Sequence, residues 1–172
     1  PGTSPTASSA AMGATPVPVD PAKVGELTAK VKADPKDTAS MRELANMYFG
    51  AADFTNAALW QNRVLELTPK DTEARLALGA AKFNGGDTAE AEKQWREVLR
   101  LDPKNAEAHY NLGFFFLSQT PPQIDKAEAE WAKVSELAPG SEIAKTATAH
   151  LDRLKNMPTV GSSATPSAKS TP

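Results

Sequence analysis

The stretch RLALGAAKFNGGDTAEAEKQWREVLRLDP, residues 75–103, decides the fold. A small and apolar run from Leu76 to Ala81 is broken at Gly85-Gly86-Asp87, and a second run closes on Leu101-Asp102-Pro103. A glycine pair between two such runs reads as the turn between two helices, and the closing proline cannot continue the helix before it. Pro35, Pro69 and Pro103 stand 34 residues apart, so the unit recurs. A helix hairpin of this length cannot bury its apolar face alone and must stack on a neighbour. The period therefore predicts an all-α solenoid of stacked antiparallel hairpins, about eight helices and no sheet.

Aligning the segments that end at Pro69, Pro103 and Pro139 brings the same residue types together. The third reads His109, Leu112-Gly113, Phe116, Ala127, Trp131, Pro139; the second reads Arg75, Leu78-Gly79, Lys82, Ala91, Trp95, Pro103; the first reads Met41, Leu44-Ala45, Tyr48, Ala57, Gln61, Pro69. On these residues the chain resembles the tetratricopeptide repeat (TPR) family, with repeats at about 38–69, 72–103 and 106–139. Gly79, Gly113 and Ala45 take the slot where paired helices approach most closely, and Ala57, Ala91 and Ala127 are the small residues opposite. Trp95 and Trp131 fill the gap between hairpins and supply much of the buried area. Arg75, Lys82 and Gln61 depart from the pattern, with Phe83 and Trp60 one place away to take over the packing. The step from Pro103 to Pro139 is 36 residues, which places two extra residues near Thr120-Pro121-Pro122, in the turn of the third hairpin.

Outside the repeats, Asp20-Pro21 opens a short amphipathic helix with Val24, Leu27 and Val31 on one stripe, a capping helix at about 21–33. Ser141 is a candidate N-cap for a second capping helix at about 141–155, with Ile143, Ala147, Leu151 and Leu154 as its stripe and Glu142, Lys145, Asp152 and Arg153 off it. The folded unit is thus expected at 21–156. The flanks, 1–20 and 157–172, are rich in Pro, Ala, Ser and Thr and nearly devoid of charge, a composition expected to be flexible or extended.

Charge nearly balances, 19 basic against 21 acidic residues for a net −2, which argues against a general nucleic-acid binder. No run approaches the ~20 apolar residues of a membrane-crossing helix. Cysteine is absent, which removes disulfides, thiolate metal sites and cysteine nucleophiles. The chain begins at Pro1, not Met, which is read as an upstream segment processed or not included; with the small-residue flanks this favours an exported or membrane-tethered bacterial protein over a cytoplasmic one.

Chemistry is hard to find. His109 occupies the large-residue slot of the third repeat and His150 lies beside the stripe of the last helix, both read as structural. Neither has the spacing of a zinc motif. Glu90, Glu92, Glu128 and Glu130 read as a solvated outer face. Gly85-Gly86 lacks the preceding strand and the Lys-Ser/Thr ending of a phosphate loop. No enzyme, cofactor or metal is expected.

In the family the first helix of each hairpin lines a concave groove, which implies as contact residues Arg42, Asn46 and Phe49 in the first repeat, Leu76, Ala80 and Phe83 in the second, and Tyr110, Phe114 and Leu117 in the third. Each trio shares one helical face. Some of these side chains could instead pack against the terminal helices or one another. The clamp by which TPR domains grip the acidic C-termini of heat-shock chaperones is incomplete: Arg42 and Asn46 match it, but Ala77, Glu107 and Asn111 do not. The resemblance implies a non-catalytic adaptor that takes a protein or peptide in a largely apolar groove, within an exported assembly such as bacterial envelope or cytochrome maturation machinery. The alternative is a structural subunit of a larger complex or filament, docked through its tails and convex surface.

Overall fold

The computed structural model describes residues 16–156. Among these there is no strand, and eight helices run in order: α1 (Pro21–Ala33), α2 (Thr38–Gly50), α3 (Phe54–Leu67), α4 (Thr72–Asn84), α5 (Thr88–Leu101), α6 (Ala106–Leu117), α7 (Ile124–Leu137) and α8 (Glu142–Lys155). Most of both flanks, 1–15 and 157–172, lies outside the described residues. Of the segment before α1, the Val17 N–H donates to the Gly50 carbonyl at 3.0 Å.

Helix starts are written into the side chains. Asp20, Asp37, Asp53, Asp71, Asp87, Asn105 and Ser141 each accept a backbone N–H from the first turn, satisfying a donor that the helix itself cannot. Only α7, which follows Gln123, begins without such a bond among the described helices. The turns between units are copies of one another. The N–H groups of Asp34, Thr68, Asp102 and Ala138 donate to Lys30, Val64, Val98 and Val134, and those of Asp37, Asp71, Asn105 and Ser141 donate back to Asp34, Thr68, Asp102 and Ala138. Four copies of one turn mean that α1 leaves like the second helix of a hairpin and α8 enters like the first.

The turns inside hairpins repeat too. The Asp53 N–H donates to the Tyr48 carbonyl and the Asp87 N–H to the Lys82 carbonyl, each at 2.9 Å. The residue before each aspartate has a left-handed backbone, Gly86 at φ 88° and Ala52 at φ 59°. In the third hairpin the matching bond runs from the Gln123 N–H to the Phe116 carbonyl at 3.0 Å, spanning the two added residues, and the Thr120-Pro121 peptide is cis. The insertion is absorbed in the turn, and α6 and α7 pair as the other hairpins do.

Each helix packs antiparallel on the next, and α6 also touches α4 and α8, so first helices share one face. The core is built on two indoles. Trp95 is 2 % exposed and Trp131 1 %. A Cβ added at Gly79 would overlap Trp95 at Nε1, Cδ1 and Cε2, each closer than 3.0 Å, and Gly113 stands in the same relation to Trp131. The indole N–H groups donate to the helix that they cross, Trp95 to the Leu76 carbonyl at 3.3 Å and Trp131 to the Tyr110 carbonyl at 3.0 Å. Burial of each indole is thereby complete without leaving a donor unpaired.

The departures from the repeat pattern are accommodated locally. Trp60 and Gln61 are both buried, with the Arg63 guanidinium 4.5 Å from the Trp60 ring and Gln61 Oε1 without a hydrogen-bond partner. Phe83 packs on Trp95 with ring centroids 5.6 Å apart, while Lys82 turns to Asp87. Arg75 donates to the Pro69 carbonyl at 2.7 Å and to Gln94 Oε1 at 2.9 Å. His109 repeats the arrangement one unit later, near the Pro103 carbonyl at 3.4 Å and Glu130 at 2.5 Å. Glu130 is therefore engaged with a buried histidine, beyond the solvated role that its position suggests.

Helix α8 closes the stack with Ala144 and Ala147 buried and Ile143, Leu151 and Leu154 packed beside them against Tyr110, Trp131 and Val134. His150 stacks on Trp131 at 4.8 Å between centroids, meets the Phe114 ring edge-on at 5.0 Å, and has Nε2 3.3 Å from the Tyr110 hydroxyl. Burial raises the Tyr110 phenol and keeps it protonated as a donor.

Gly79→Ala and Gly113→Ala should each destabilise the fold by about 1–3 kcal/mol through overpacking. Gly25→Ala, with nothing within 4 Å of the added Cβ, should stabilise it by about 0.5–1 kcal/mol. Urea midpoints measure all three, and equal effects at Gly25 and Gly79 would contradict the indole contact. His150 is held below the ordinary histidine value of 6.5, first by burial and then by the Arg153 charge. The unfolded chain then binds the extra proton first, so stability is full above that value and declines as the pH falls from it through the lower folded value. His150→Phe should flatten this part of the urea-midpoint profile; an unaltered acid slope would assign it to other groups.

Candidate functional site

The nine groove positions fall into three groups. Leu76, Ala80 and Tyr110 are buried between helices, at 5 %, 7 % and 4 % exposure. Arg42 and Asn46 lie at the other end from α8. Asn46 is exposed, whereas the Arg42 guanidinium is paired with Asp71 and sits 3.5 Å from Glu73, both at the start of α4. That cation is neutralised within the fold. Phe49 is half-buried and meets Phe54 edge-on at 5.3 Å.

Phe83, Phe114 and Leu117 are brought together. With Ser118, Trp131, His150, Arg153 and Leu154 they line an open cavity of about 430 Å³. Its walls come from α4, α6, α7 and α8, so the last helix completes a surface that the second and third repeats begin. The aromatic packing is tight: Phe114 meets Trp131 edge-on at 5.1 Å and Tyr110 at 5.2 Å. Polar atoms in the walls are mostly occupied. The Trp131 N–H is bonded to Tyr110, and the Ser118 hydroxyl donates to the Phe115 carbonyl at 2.8 Å. Burial and Arg153 together hold His150 towards its neutral form.

His150, Arg153 and Leu154 were not among the groove positions read from the repeats. The signal that finds them is the register carried one unit further. Asn46, Ala80 and Phe114 share a slot, and the 36-residue step takes it to His150; Phe49, Phe83 and Leu117 share another, which reaches Arg153. Helix α8 presents to the groove the same two faces as a repeat's first helix. Trp131, assigned to filling between hairpins, does that and forms the cavity floor as well.

A larger cavity, about 550 Å³, lies on the outer side of α5 and is lined by Arg75, Glu92, Arg96, Glu97 and Arg100 among others. Its charges are paired side by side, Arg96 with Glu92 and Arg100 with Glu97. Among the described residues no group of three or more His, Asp or Glu is gathered to hold a metal ion, and no helix is long and apolar enough to cross a membrane.

The comparisons with known proteins agree with this architecture. Residues 81–119 match a family model described as TPR repeat. No curated protein sequence matches the chain. In solved structures the fold is similar to a crystal structure of MamA, 19 % identical, covering 77 % of this chain and 84 % of that one at a TM-score of 0.61. It is also similar to the TPR domain of OM64 from Arabidopsis, 20 % identical, covering 67 % and 94 % at 0.59. A third is the first TPR of Spaghetti (RPAP3) bound to the HSP90 peptide SRMEEVD, 19 % identical, covering 71 % and 93 % at 0.60. At such identities the likeness speaks for the fold alone. The segment 81–119 thus matches as a TPR repeat, and the fold around it is TPR-like, with hairpins repeating at 34 residues and an indole crossing a glycine in two of them.

Proposed function

We propose that the protein is a non-catalytic adaptor that binds a peptide or protein partner along the face of its first helices. TPR domains mediate protein–protein interactions, and the RPAP3 domain is seen with a peptide bound. The observation that carries the reading is the convergence of Phe83, Phe114 and Leu117 on an open apolar cavity. Such a surface suits an extended apolar peptide or an amphipathic helix. The contact surface proposed is Arg42, Asn46, Phe49, Leu76, Ala80, Phe83, Tyr110, Phe114 and Leu117, with the buried members Leu76, Ala80 and Tyr110 shaping it from beneath. An acidic chaperone tail is a poor fit, because Arg42 is already paired and Glu107 takes a clamp position.

The folded unit proposed is 21–156, with terminal helices 21–33 and 141–155 flanking the repeats and Pro/Ala/Ser/Thr-rich tails at 1–20 and 157–172. The tail composition supports an exported or membrane-tethered assembly. Docking as a structural subunit through the tails and convex surface has less support: the exposed large apolar residues Val17, Leu59, Leu67 and Ile124 are spread over the segment before α1, α3 and α7, and the cavity outside α5 is lined by paired charges.

Phe83→Ala and Phe114→Asp should weaken capture of the partner from source cells while far-ultraviolet circular dichroism keeps its helical amplitude. Unchanged capture by both variants removes the groove from the account. A chain lacking 1–19 and 158–172 should still capture the partner and join its assembly, whereas failed assembly would favour the structural-subunit reading. The full chain is expected in the envelope fraction of those cells, and recovery from the cytosol would end that placement.

A further inference from the structure

We propose that the cavity completed by α8 receives a large apolar side chain of the partner peptide, with a neighbouring carboxylate of that peptide held by Arg153. The inference rests on the groove reading above and adds the chemistry of the ligand. The apolar half follows from the walls. Phe83, Phe114, Leu117, Trp131 and Leu154 surround about 430 Å³, within the range of pockets that bury a ligand. The indole N–H, the Ser118 hydroxyl hydrogen and the Tyr110 hydroxyl are already bonded within the protein, so the interior makes little demand for a polar occupant.

The carboxylate follows from the rim. No acidic residue lines the cavity. Arg153 is exposed and, alone among the arginines of the described residues, has no carboxylate, hydrogen bond or ring to engage it. The others are committed: Arg42 to Asp71, Arg63 over Trp60, Arg75 to Pro69 and Gln94, Arg96 to Glu92, Arg100 to Glu97. In a chain with net charge −2 this edge is locally positive, and His150 next to it is held towards neutrality, so the charge comes from Arg153. Register adds direction. The slot shared by Phe49, Phe83, Leu117 and Arg153 runs apolar for three units and ends in a cation. A bound segment would lay its apolar side chains on the first three and its acid at the α8 end.

The test uses the full chain and fluorescence anisotropy of labelled, amide-capped hexapeptides. Gly-Ser-Leu-Phe-Asp-Ser should bind. Replacing its Asp by Lys should weaken binding about fivefold, the scale of an exposed ion pair. Replacing Leu-Phe by Ala-Ala should weaken it at least about tenfold, the scale of one buried apolar side chain. Arg153→Glu, at an exposed position, should reverse the preference between the Asp and Lys peptides. A peptide ending in Leu-Phe with a free carboxyl group tells a terminal carboxylate from a side-chain one, and binding of either with loss in Arg153→Glu supports the proposal. Equal binding of the Asp and Lys peptides, or an unchanged preference in Arg153→Glu, overturns it. If Phe83→Ala still weakens partner capture in that case, the groove stands and only the pocket assignment falls. Unaltered capture in both groove variants removes the groove and the pocket with it.

Discussion

An indole lying across a glycine sets the spacing on which this structure depends. Where Gly79 faces Trp95 and Gly113 faces Trp131, the absence of a Cβ lets a whole ring occupy the interface between the two helices of a hairpin. The ring's N–H then bonds to the crossed helix, so that one contact buries area, fixes distance and satisfies a donor. The first hairpin manages otherwise. Ala45 stands in the glycine slot, Gln61 in the indole slot, and Trp60 moves the large side chain one residue along. The fold tolerates that exchange at its N-terminal end, at the cost of a buried amide oxygen without a partner.

Polar residues inside the stack join one unit to the next. Arg75 and His109 occupy slots that usually take a large apolar side chain, yet both lie against the carbonyl of the proline that closes the preceding unit. Each also reaches the second helix of its own hairpin, at Gln94 or Glu130. A buried polar group stabilises only when its partners are in place, so these pairs favour one register of stacking over neighbouring ones.

Much of this was legible in the residues, because repetition turns weak local signals into strong ones. Gly85-Gly86-Asp87 as a turn, the prolines as boundaries and the glycine slots as close approaches are each modest evidence alone and persuasive at a fixed period. Helix α8 was legible as a helix from its cap and stripe, but its part in the groove was hidden. The step to it is 36 residues, not 34, and its two inner slots hold His150 and Arg153, where apolar residues would have announced the pattern. The pairing of Arg42 with Asp71 was equally out of sight, since it joins helices of different hairpins. Which first-helix residues are covered, as Leu76 and Tyr110 are, depends on how closely successive helices approach, a property of the stack and not of any one segment.

The position of α8 at the edge of a one-dimensional array has a consequence for dynamics. It is held by α7 and α6 and carries no following hairpin among the described residues. In such arrays the outermost element opens at lower free energy than the units inside. The helix that supplies His150, Arg153 and Leu154 is therefore packed from one side of the array only, and whatever occupies the space beside Trp131 also latches it. Occupancy and closure of the C-terminal edge then become one equilibrium, read by slower amide exchange along α8.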